Sequence, residues 1–142
     1  SSGMSAISYI ANTPIAMTNY RPLSTLYLSS RDLYLPGLLK NKDGKFLKFS
    51  ELYNISNSIG ALDGIYNNLL QLSFYQNTPE EIKKLVECML IKLKGNAIVP
   101  KSSINQNKIK RIIKNNNTLL CDNIGIETNI PEFFLEKYKE LL

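Results

Sequence analysis

The chain has 142 residues, of which 17 are Lys or Arg, 12 are Asp or Glu and none is His, for a formal net charge of +5. That length supports one domain with one real core, and 44% hydrophobic against 20% charged residues excludes a disordered composition. The missing histidine removes the commonest general base, every Ser-His-Asp or Cys-His arrangement and the commonest metal ligand, so the composition points to a non-catalytic protein without a cofactor.

Cys88 and Cys121 belong to no CxxC or Cys/His cluster, so no structural zinc site is expected. Both read as small hydrophobes in a reducing compartment. No apolar run approaches the roughly 18 residues of a membrane span, so an intracellular, cytoplasmic protein is expected, or one of the host cytoplasm or nucleus if viral. Asn and Ile each occur 16 times and Ala only 5, the bias of an AT-rich coding sequence. Ser1-Ser2-Gly3 ahead of Met4 reads as a vector-derived scar, leaving residues 4–142 as a single helical domain.

Taken in chain order, residues 4–36 carry Pro14, Pro22 and Pro36 among scattered apolar residues. Leu23 to Leu33 reads as a helix, and Tyr20, Tyr27 and Tyr34 recur at intervals of seven along what reads as a core edge. Leu38-Leu39-Lys40 and Lys45 to Phe49 flank an Asn41-Lys42-Asp43-Gly44 turn, which suits a small β-hairpin near residues 38–49. A helix end leading into a loop is the alternative there.

The next element is a helix. Leu52, Ile55, Ile59, Leu62, Tyr66 and Leu69 alternate in steps of three and four, with Ser50 as the expected cap and Glu51 against the helix dipole. Gly60 and Gly64 share one face of it, suiting either a close helix–helix crossing or a break into two short helices.

The helix after it has the clearest punctuation. Thr78-Pro79-Glu80-Glu81 supplies a cap, a proline at the first helical position and a Glu three residues after the cap. Ile82, Leu85, Val86, Met89, Leu90 and Leu93 form its apolar stripe, and Gly95 is a natural terminator. Near the other end, Asn129 to Leu142 reads as a final helix with Pro131 and Glu132 in its first turn. Phe134, Leu135, Tyr138, Leu141 and Leu142 form its apolar side. The expectation for the whole is a mainly α protein, a compact bundle of about five helices with at most one hairpin.

Charge is unevenly placed along this plan. No Lys or Arg occurs from Phe49 to Ile82, and no Asp or Glu from Cys88 to Cys121. The densest charge lies in NKIKRIIKNNN, residues 107–117. A helix over about 104–116, capped by Ser103, puts Ile109, Ile112 and Ile113 in one arc with Ile104 close to it, at roughly 100° per residue. Lys108, Lys110, Arg111 and Lys114 fall opposite, and Lys101 extends the patch.

Four close cations with no neighbouring acid repel one another unless an anion is present, and phosphate is the obvious anion. The expected function is a binding protein whose basic helix contacts nucleic-acid phosphates. With a single Arg in the patch, the contacts expected are to the backbone rather than to bases. The alternative is a protein–protein interaction or scaffold module, self-associating as a homo-oligomer through Leu52, Ile55, Ile59, Gly60, Gly64 and Tyr66. No metal site is expected, and no glycine-rich phosphate loop appears.

Overall fold

The structure is a computed structural model that describes residues 7–8, 10–20, 31–59, 71–95, 103–116 and 130–142. Strands β1 (Ala16–Tyr20) and β2 (Leu33–Pro36) pair in parallel, with Ala16 opposite Leu33 and Met17 opposite Tyr34. The register shifts between Met17 and Tyr20, where Asn19 takes a φ of +52°. One residue after β2, the chain enters β3 (Leu38–Lys40). That strand pairs antiparallel with β4 (Ser73–Tyr75), Leu39 standing opposite Phe74. Four α-helices complete the described fold: α1 (Phe49–Ile59), α2 (Pro79–Leu93), α3 (Ile104–Asn116) and α4 (Glu132–Lys137), the last leading into a 3-10 turn over Lys139–Leu141.

This architecture corrects the expected bundle of about five helices. Among the described residues it is mixed α/β, with four α-helices and four strands in two small sheets. The reason lies in burial. Every residue from Asp32 to Leu39 is buried. A strand covered on both faces is apolar without alternation, so LYLPGLL carries no period-two signal in the sequence. Leu33, expected to close a helix, opens β2 instead, while residues 21–30 of that expected helix lie outside the described residues.

The Asn41–Gly44 turn forms as expected, and Lys40 pairs antiparallel with Phe46 across it, a hairpin shortened to a single bridge. The Leu39 carbonyl accepts from Leu47 N at 2.9 Å, and Phe49 already begins α1. The strand partner of β3 is β4, more than thirty residues further along.

Helix α1 starts earlier than Ser50 predicts. Lys48 is its cap: the Lys48 carbonyl accepts from Leu52 N at 3.0 Å, and Glu51 Oε2 reaches back to accept from Lys48 N at 2.7 Å. Phe49, Leu52 and Tyr53 are buried by it. Tyr53 and Tyr34 bring their hydroxyls within 3.3 Å of each other, and burial pushes both phenols up. Residues 60–70, with Gly60, Gly64, Leu62, Tyr66 and Leu69, lie outside the described residues.

Helix α2 is punctuated as its sequence reads. Thr78 Oγ1 accepts from Glu81 N at 3.3 Å and Glu81 Oε2 accepts from Thr78 N at 2.8 Å, a complete capping box. Pro79 takes the first turn, and Gly95 just past the helix has a φ of +79°. Its apolar stripe is divided. Leu85 and Met89 enter the core, whereas Val86, Leu90 and Leu93 are exposed. The helix packs on β1 and β2. Lys92, half-buried, donates to the Asp32 carbonyl at 3.5 Å, and burial lowers its ammonium pKa against the pull of the Asp32 charge. Asp32 Oδ1 in turn accepts from Ile15 N at 2.7 Å.

A reciprocal clasp joins β1 to the segment leading into α2. Asn19 N donates to Asn77 Oδ1 and Asn77 N to Asn19 Oδ1, both at 2.6 Å. The buried Asn77 amide also donates to the Pro36 carbonyl at 3.1 Å. At the C-terminal end, Phe134, Leu135, Tyr138 and Leu141 are buried as the apolar side predicts, although α4 spans only Glu132–Lys137. Helix α3 packs against α1 and α4, so the basic segment is anchored on two elements.

Candidate nucleic-acid interface

Ser103 begins α3. Its hydroxyl accepts from Gln106 N and its carbonyl accepts from Asn107 N, both at 3.0 Å. Ile109 and Ile113 are 2% and 3% exposed and dock the helix on the core, with Ile112 packed beside them. Turning roughly 100° per residue from that face brings Lys108, Arg111 and Lys114 into an arc about 120° wide on the far side. All three are exposed, while Lys110 sits half-buried at the edge of the arc. None of the four forms an ion pair with a described residue. Lys101 lies outside the described residues.

Two features of α3 depart from its sequence reading. Ile104, expected beside the apolar arc, is 74% exposed, and Gln106 takes a core position at 1%. The Gln106 amide donates to the Ile130 carbonyl at 2.6 Å, and its Oε1 is buried without a partner among the described residues. The second departure is electrostatic. The sequence puts no acid near the patch, but the fold brings Glu132 and Glu136 to the first turn of α3. Glu132 accepts from Ser103 Oγ at 2.7 Å and from Asn105 Nδ2 at 2.9 Å, and Glu136 accepts from the same amide at 3.0 Å. A carboxylate at a helix N-terminus opposes the positive end of the dipole and stabilises the helix. The helix is thus acidic-flanked at its start and basic along its later turns.

The residues of the self-association reading are spread differently. Leu52 belongs to the chain's own core. Ile55 is half-buried and borders an open pocket of about 380 Å³ lined by Leu47, Glu51, Asn54, Ile55 and Leu72. Ile59 ends α1, and its side chain, with Gly60, Gly64 and Tyr66, lies outside the described residues.

Sequence patterning does not single out a second basic group. Lys40, Lys42, Lys45 and Lys48 occur within nine residues around the Asn41–Gly44 turn, with Asp43 the single acid. Their signal is present in KNKDGKFLK, where the turn chemistry of Asn41 to Gly44 masks it.

Among the described residues no group of three or more His, Cys, Asp or Glu is placed to hold a metal ion. No described helix is long and apolar enough to cross a membrane. Compared with known proteins, the chain matches no family model, no curated protein and no solved structure.

Proposed function

We propose that this protein is a non-catalytic binding protein whose α3 face contacts nucleic-acid phosphates. The observation that carries the reading is the stripe of Lys108, Arg111 and Lys114, exposed and without an acidic partner among the described residues, on a helix fixed to the core by Ile109 and Ile113. A rigidly anchored cation stripe gains from phosphate what it cannot gain from its own fold. Contact is with the backbone, since one Arg and three Lys offer little base discrimination. The setting this reading implies is intracellular, where nucleic acid is met.

The test is fluorescence-anisotropy titration of labelled oligonucleotides at two salt concentrations. Four phosphate contacts give a log–log salt slope near −4, at about −0.9 per contact on duplex DNA. Changing Lys108, Lys110, Arg111 and Lys114 together to Gln removes most of that slope. Tight binding with no salt dependence, or an unchanged slope in the variant, rejects the reading.

A second reading, a protein-interaction or scaffold module, rests on the open apolar pocket beside Ile55. Light scattering across a concentration series, with Ile55→Glu as the comparison, separates it from the first.

A further inference from the structure

The turn between β3 and α1 is held by its own hydrogen bonds. Asn41 N donates to the Lys45 carbonyl and Gly44 N to the Asn41 carbonyl, both at 2.9 Å. Asn41 Oδ1 accepts from Asp43 N and Lys45 N, both at 3.0 Å. Gly44, at φ +76°, supplies the left-handed residue the turn needs. This frame presents Lys42, Lys45 and Lys48 to solvent, none of them ion-paired with a described residue.

Beside the turn lie two half-buried rings. Phe46 and Tyr75 meet edge to face, with centroids 5.1 Å apart and planes at 83°. The Lys40 ammonium sits over both, 4.7 Å from the Phe46 centroid and 4.8 Å from that of Tyr75. Tyr138 supports Phe46 from the core side at 5.8 Å. A fixed basic turn around partly open aromatic rings is what holds a single nucleic-acid strand: cations track the backbone and rings take unpaired bases. In a duplex the bases are already stacked on each other, so the rings contribute nothing.

We propose that residues 40–48 and Tyr75 form a platform for single-stranded nucleic acid, in which Phe46 and Tyr75 stack an unpaired base and Lys40, Lys42, Lys45 and Lys48 hold the flanking phosphates. A phosphate draws the Lys40 ammonium off the rings and leaves their faces to the base. The inference takes its ligand class from the nucleic-acid reading of α3 but stands on different residues.

Three labelled ligands test it by anisotropy: a single strand, its duplex and the same strand made abasic. The intact single strand binds about tenfold tighter than the abasic one. Lys42→Gln/Lys45→Gln/Lys48→Gln weakens all three ligands, while Phe46→Leu removes only the preference for a strand with bases. Should Phe46→Leu fail to fold, ultraviolet cross-linking of a bromouracil-substituted strand to the unaltered protein gives the same answer, through adducts at Phe46 or Tyr75. Equal affinity for intact and abasic strands, or adducts confined to α3, overturns the platform. If the α3 glutamine variant binds both single strand and duplex normally while the turn variant loses the single strand, the α3 reading fails and the platform stands. The reverse pattern rejects the platform alone, and no binding to any strand rejects both.

Discussion

The Lys137 ammonium lies 2.7 Å from Glu81 Oε1, joining residues 56 positions apart and tying the last helix to the first turn of α2. The Tyr138 hydroxyl donates to the same oxygen at 2.9 Å, and the Thr78 amide occupies the other. Burial alone would raise this carboxyl, but the hydrogen bonds from Lys137, Thr78 and Tyr138 outweigh it and hold the pKa below its ordinary 4.5. A carboxylate with a lowered folded pKa stabilises the protein above its unfolded value, and that contribution fades as the pH falls through the folded one. Glu81→Gln is therefore expected to cost about 2 kcal/mol at neutral pH, with the gap closing as the pH falls below the ordinary 4.5 and through the lower folded value. Chemical denaturation of both proteins across that range checks it. Lys137→Met is expected to cost less than about 1 kcal/mol, because the ammonium end is half-exposed and screened.

Asn77→Ala removes the side-chain half of the clasp between β1 and the entry to α2, together with the bond to the Pro36 carbonyl, with a loss of about 2 kcal/mol. At Asn19 the backbone adds its own preference, since φ is +52° there. Asn19→Ala is expected to be about 1 kcal/mol less stable than Asn19→Gly, both having lost the side-chain bond. Thermal melts of the three variants give the comparison, and equal midpoints for the two Asn19 variants would count against the left-handed assignment.

The docking of α3 is tested by paired truncations. Ile109→Ala is expected to cost about 3 kcal/mol, Ile104→Ala no more than about 0.5. The two residues look alike in the sequence, so equal losses would mean that the helix is rotated from the position described.

Gln106 gives a sharper probe of the same packing. Gln106→Glu places a carboxylate against the Ile130 carbonyl and beside Glu132, with no cation among its partners. The loss is expected to exceed about 3 kcal/mol at neutral pH and to shrink on acidification, as the new group takes up a proton. Urea midpoints at neutral and acid pH decide it.

Neutralising Lys108, Lys110, Arg111 and Lys114 to Gln is expected to change stability by less than about 1 kcal/mol while weakening duplex binding and flattening its salt dependence. Circular-dichroism melts and the anisotropy titration are read on the same samples. A collapse of the fold would make those side chains structural.

What the sequence determined by itself is what short-range physics controls. The cap, proline, capping-box Glu and terminal Gly of α2 lie within one turn of the atoms they satisfy, so Thr78, Pro79, Glu81 and Gly95 could be read directly. The sidedness of α3 was equally legible, because Ile109 and Ile113 share a helical face and Lys108, Arg111 and Lys114 the opposite one. The tertiary structure alone decided the strands and the polar tethers. Leu33–Pro36 is covered on both faces and shows no alternation, and β3 finds its partner more than thirty residues away, so pattern could reveal neither. Gln106 is inside and Ile104 outside because Ile130 and Glu132, a distant segment, supply the amide with acceptors at that end of α3. Hydrogen-bond partners brought together by folding have no periodicity, and only the packed chain shows which of them meet.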